Sequence, residues 1–134
     1  MPHTFNQIVT TTAKAPVLSF FKFLVGATGA VGTLSQGKAN LVANVVRNSA
    51  GNYTVNFNKP YPLNILFCVP VVHRNAIADA FVKMEYDVGS FTPGGADSSM
   101  VLFTTNAGVT ATDPPDGSEV HVMLVHQAIK KLVD

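Results

Sequence analysis

A single cysteine, Cys68, is all the thiol this 134-residue chain holds, so an intrachain disulfide and a Cys-based zinc site are both excluded. Tryptophan is absent and only three tyrosines are present, leaving few flat aromatic platforms for stacking a sugar ring. Charge is scarce as well, at 13% of residues against roughly 25% in an ordinary soluble domain. That thin charge cover suggests surface made to be buried against something else. The Lys and Arg residues are scattered and the formal net charge is +1, so the basic face that marks nucleic-acid binders is missing. The longest apolar run, Ile65 to Val72, contains Pro70 and is far too short to span a bilayer. Met1–Thr12 has neither the basic nor the apolar region of a secretory signal. The expectation is a soluble protein made in the cytoplasm, with no membrane and no nucleic acid among its partners. Without a secretory signal the acceptor-like Asn52-Tyr53-Thr54 has no consequence.

What is abundant is the stuff of strands and turns. Ser, Thr and Asn together supply 29 residues, and Val supplies 19 against 9 Leu and 4 Ile. This bias suits half-buried strands joined by polar turns. The length favours one domain with one core.

Val17 to Val25 reads as a strand with apolar residues on both faces: Val17, Phe21, Phe23 and Val25 on one, Leu18, Phe20 and Leu24 on the other, interrupted by Ser19 and Lys22. Both faces are expected to be covered. A Gly-rich connection follows from Gly26 to Gly37, and Ala39 to Arg47 favours strand. The sharpest local signal is a hairpin, in which a turn-rich cluster with Gly51 leads into Tyr53, Val55 and Phe57 alternating with Thr54, Asn56 and Asn58. Pro60 and Pro62 stop that strand, and Ile65 to Val72 suits the centre of a sandwich, with Pro70 implying an edge or bulge near its end. Val82, Met84, Tyr86 and Val88 alternate with charged residues. Met100 to Thr105, Gly108 to Thr112 and Glu119 to about His126 complete the strands, separated by turns at Phe91–Gly95 and Asp113–Gly117. Seven or eight short strands at fairly regular spacing predict an all-β fold, a single jelly-roll-like β-sandwich over 1–134. A flexible N-terminal arm, Met1–Thr12, and a short helical tail from Gln127 to Asp134 flank it.

The residues capable of chemistry do not assemble from spacing alone. His121 and His126 fall on opposite faces of one strand, roughly 17 Å apart, and cannot share a metal; His73 could join one of them only through tertiary contact, with no carboxylate at a supporting spacing. Gly26–Gly32 lacks the glycine spacing, the Lys-Ser or Lys-Thr pair and the acidic partner of phosphate-binding loops. Asp113 and Asp116 suit a turn in which carboxylates accept backbone N–H groups. Glu85 and Asp87 share a predicted strand face, and Cys68 lies in an apolar run where a thiol behaves as a small hydrophobe. No enzymatic activity, catalytic residue, metal or cofactor is expected.

Val45-Val46-Arg47-Asn48-Ser49-Ala50-Gly51-Asn52-Tyr53-Thr54-Val55-Asn56-Phe57, followed by Tyr61-Pro62 and a hydrophobic strand, resembles a β-hairpin module common in virion proteins of tailed bacteriophages. The resemblance points to capsid decoration (cement) proteins, and the strand Gly117 to Val125 looks like the final strand of the same sandwich, so it covers roughly Ala39 to His126. It implies a structural protein of the capsid exterior that bridges major capsid protein subunits as a homotrimer. Its subunit interface would be of standard size or more, on the order of 800 Å² per partner. Two other roles remain open: a tail-fibre or baseplate module that recognises a host surface, and a carbohydrate-binding sandwich. The arm, with Phe5 and Ile8 as its apolar anchors, is expected to order on a partner surface, with Arg47 and Arg74 as further polar contacts.

Overall fold

The computed structural model describes residues 16–37, 41–58, 64–92, 98–106 and 109–127. The N-terminal arm with Phe5 and Ile8, the Pro60–Pro62 stop and the tail beyond Gln127 lie outside them. Among the described residues nine strands follow in order: β1 Pro16–Val25, β2 Val31–Gln36, β3 Val42–Ser49, β4 Asn52–Phe57, β5 Asn64–His73, β6 Lys83–Tyr86, β7 Ser99–Asn106, β8 Thr110–Ala111 and β9 Glu119–Gln127. They form two antiparallel sheets packed as a β-sandwich, one in the order β2-β1-β9-β5 and the other in the order β3-β4-β7-β6, with β8 paired to β7. The expected all-β sandwich is therefore what the chain adopts.

The core is built from residues that period two turns inward. In β9, Val120, Val122, Leu124 and His126 are buried while Glu119, His121, Met123, Val125 and Gln127 face outward. In β4, Tyr53, Val55 and Phe57 are buried against Phe21, Phe23 and Val25 of β1 and Met100 and Leu102 of β7. The Phe23 and Tyr53 rings meet with centroids 5.8 Å apart. At roughly 25 cal/mol per Å² of apolar surface buried, these aromatic and branched side chains dominate the stabilisation.

The hairpin β3–β4 forms where the sequence places it, and Gly51 is required there. Its φ is +67°, and a Cβ would come within 2.5 Å of the Thr104 carbonyl oxygen and 2.7 Å of the Thr112 nitrogen. Other elements differ from the sequence expectation. The Gly-rich connection contains a whole strand, β2, because a register irregularity in its pairing with β1 between Phe23 and Val25 puts its part-buried residues Val31 and Leu34 on opposite parities. That break hides the period of two. The apolar run of β5 is an edge strand, the first of the two alternatives that Pro70 implied, and its register irregularity lies at the other end of the run, between Ile65 and Phe67. Strand β6 stops at Tyr86, and Val88 is exposed in the turn beyond. Glu85 and Asp87 do not pair with each other: Glu85 binds Lys83 at 3.4 Å, and Asp87 accepts the Gly89 N–H in the turn.

Asp113 ties the loop before β9 to the hairpin. It takes two hydrogen bonds from the Arg47 guanidinium, Nε to Oδ1 at 3.0 Å and Nη2 to Oδ2 at 2.7 Å. Oδ1 also accepts the Gly51 N–H at 2.8 Å. The buried Tyr53 hydroxyl lies 2.9 Å from the Gly29 carbonyl oxygen and 3.3 Å from Asp113 Oδ1, either of which accepts its proton. The carboxylate thus satisfies a backbone N–H, as carboxylates in turns do, but the N–H belongs to a distant hairpin. Arg47, first among its partners, holds the Asp113 carboxyl below its ordinary range, and the Gly51 N–H adds to this.

Candidate functional site

The outward faces of the two sheets differ in kind. On the sheet containing β4, the outer positions mix amides and hydroxyls with Val46, Val101 and Phe103: Asn56 donates to Asn44 at 2.7 Å, and Asn48 donates to Asn52 and to Thr54, each at 2.7 Å. Such a ladder is self-satisfied and suited to water. On the β2-β1-β9-β5 sheet the outer positions are apolar. Register sets Leu18 beside Val125 and Phe67, and Phe20 beside Met123 and Val69, as two successive rungs across β1, β9 and β5. Among the described residues nothing lies over them: Phe20 is 60% exposed, Leu18 55%, Phe67 51% and Val71 43%. Strand β1 is apolar on both faces, as its sequence states, yet among the described residues only the inner one is covered.

One end of this outer face is polar. Lys22 and Val71 flank His121, while Leu24 and His73 flank Glu119. Lys22 Nζ lies 3.1 Å from Glu119 Oε2, and His121 Nε2 lies 3.3 Å from Glu119 Oε1. The His73 and His121 rings meet at a tilt, with centroids 4.2 Å apart. Lys22 first, and His121 second, hold the Glu119 carboxyl below its ordinary range. A shallow groove of about 580 Å³ joins the two ends, with Phe20, Val69, Val71 and Met123 as its apolar lining and Lys22 and the two histidines at its polar side.

Sequence spacing offered no carboxylate near His73; antiparallel pairing of β5 with β9 puts Glu119 directly opposite it. That expectation is corrected, because cross-strand neighbours are set by register and not by sequence distance. The other expectation for the histidines, that His121 and His126 occupy opposite faces, is met: His121 faces outward and His126 is buried. Among the described residues no three His, Cys, Asp or Glu side chains are placed to hold a metal.

The remaining chemistry-bearing groups are used in structure. Ser19 Oγ and His126 Nε2 are 3.2 Å apart, a hydroxyl–imidazole pair of the kind a nucleophile and its base would form. Both side chains are buried inside the sandwich, where no substrate reaches, and desolvation lowers the His126 pKa. The Cys68 thiol faces the core, and burial pushes it up to about 12. Of the two arginines named from sequence, Arg47 is engaged by Asp113, and Arg74 donates to the Ile77 and Asp79 carbonyl oxygens while its guanidinium lies 6.0 Å from the Phe81 ring centre. The apolar outer rungs escaped the sequence reading as a site because their neighbours across the sheet come from Leu18, Phe67 and Val125, far apart in the chain. The signals for it were the two-sided pattern of β1 and the continuous apolar run of β5. No protein-family model, curated protein or solved structure matches the chain at a significant level.

Proposed function

We propose that this chain is a structural virion protein that decorates a tailed-phage capsid and stabilises it by bridging major capsid protein subunits as a trimer. The observation that carries the reading is the outer face of the β2-β1-β9-β5 sheet, where Leu18, Phe20, Phe67 and Val71 stand exposed on a chain with only 13% charged residues. Large apolar patches of this kind mark protein–protein contact surfaces. The virion setting comes from the hairpin Val45–Phe57 and its resemblance to phage modules. Catalysis has little support, since the charged groups beside the groove neutralise one another and the hydroxyl–imidazole pair is buried.

The mechanism is energetic. Contacts made only with the assembled shell stabilise it by mass action, by about 2.7 kcal/mol when free protein stands at a hundred times its dissociation constant. Quantifying the chain in purified particles tests the assignment. A number on the order of hundreds, matching the repeated sites of a closed shell, is expected; a handful would place it in the tail, as a fibre or baseplate module, and its absence from particles would end the virion reading.

A further inference from the structure

We propose that a second copy of this chain seats on the outer face of the β2-β1-β9-β5 sheet, so that Phe20, Met123 and Phe67 form the centre of the subunit interface. The inference rests on the trimer reading above and adds to it the face that is used and what covers it.

Size is the first argument. Three strands of nine or ten residues, widened by β2 at one end, present roughly 500 Å² in projection at about 4.8 Å between strands and 3.4 Å per residue. Side-chain relief brings the accessible area toward the ~800 Å² per partner of a standard interface. The whole outer face, with its apolar rungs at the centre and Lys22, His73, His121 and Glu119 at one end, is therefore on the scale a stable subunit contact needs.

Charge is the second. Residues close to a three-fold axis face their own copies, so charge of one sign gathered there repels itself. Here Lys22 and Glu119 are already paired at 3.1 Å, and the rungs holding Leu18, Phe20, Phe67, Val69, Met123 and Val125 carry no charge. Such a face accepts another like itself without demanding a charged partner. The opposite sheet is less suited, because burying its outer face would desolvate its Asn and Thr side chains and the Lys83–Glu85 pair along with Val46 and Phe103.

Sedimentation velocity on the full-length protein tests this, with Phe20→Glu and Met123→Lys as interface variants and Val46→Lys as the control. Val46 is 45% exposed on the outer face of the other sheet, and Phe20 at 60% exposed can change without entering the core. Wild type and Val46→Lys are expected to sediment as trimers at micromolar concentration. Each interface variant should weaken association by at least about a hundredfold, since it buries a charge at the centre of the contact, while its far-ultraviolet circular dichroism keeps the β signature. A wild type that stays monomeric, or folded interface variants that stay trimeric, would overturn the proposal. Capsid binding, measured beside it, separates the two readings. Trimers dissolved by Phe20→Glu, with no wild-type affinity for capsids, would sustain this interface and remove the decoration role. Trimers that persist in Phe20→Glu while capsid binding disappears would give the face to the capsid instead.

Discussion

Arg47 and Asp113, 66 residues apart in the chain, are joined by two parallel hydrogen bonds of 3.0 and 2.7 Å, and the same carboxylate caps the Gly51 N–H at the tip of the hairpin that Arg47 belongs to. This arrangement fixes the hairpin turn against the loop that feeds the central strand β9. Paired carboxylates with several donors are strong when complete and costly when broken.

Asp113→Ala is accordingly expected to cost about 2–3 kcal/mol, because it strands Arg47 and the Gly51 N–H together, while the Tyr53 hydroxyl keeps the Gly29 carbonyl oxygen as its acceptor. Tyr53→Phe removes one hydroxyl and leaves the ring packed on Phe23, for a smaller loss of about 1 kcal/mol. Urea denaturation of the two variants beside wild type checks the order. Equal losses would show that Asp113 matters only through Tyr53.

Gly51→Ala should destabilise by about 2 kcal/mol or more, since φ is +67° and the new methyl group would meet backbone atoms of Thr104 and Thr112 within 2.7 Å. Backbone does not move aside as a flexible side chain does. Gly37→Ala, with nothing within 4 Å of its Cβ position, is the matched control and should be close to neutral; thermal melts of both report the difference.

Acid should weaken the fold in two stages. Desolvation depresses the pKa of buried His126 below its ordinary 6.5, so the unfolded chain binds the proton more readily than the folded one. Its contribution is complete above that ordinary value and is lost as pH falls through the lower folded value. Asp113 and Glu119 are depressed from ordinary values of 3.8 and 4.5; their contributions are complete above those values and are lost as pH drops through the folded ones. Stability measured by denaturant titration at steps from pH 7.5 to 3 should fall first near and below 6.5 and again in the acid range. His126→Gln should remove the first decline and keep the second.

Cys68 should be inert while the protein is folded. Burial pushes its thiol up to about 12, leaving almost no thiolate at neutral pH. Iodoacetamide at pH 7.5 is expected to label the native protein at least about tenfold more slowly than the urea-unfolded chain, as followed by intact mass. Equal rates would place the thiol at the surface.

What the sequence determines by itself is everything that period two and turn chemistry control. Alternation in Tyr53–Phe57 and Glu119–His126 marks two strands and their buried faces, Gly51 marks the hairpin, and the five-residue gap separates His121 from His126. The apolar residues on both faces of Val17–Val25 already state that the first strand needs cover on two sides. The tertiary structure alone decides what those faces meet. Alternation says which side chains point together but is silent about which strand lies alongside, and that neighbour is chosen by pairing between segments as distant as β1 and β9. So the strand hidden in the Gly-rich connection, the choice of β9 as the partner of β5, the Arg47–Asp113 tie and the contact of His73 with His121 beside Glu119 appear only in the folded chain. The outer apolar face, exposed among the described residues, has the same origin: Phe20, Met123 and Val69 become one surface only when register places three separate strands side by side.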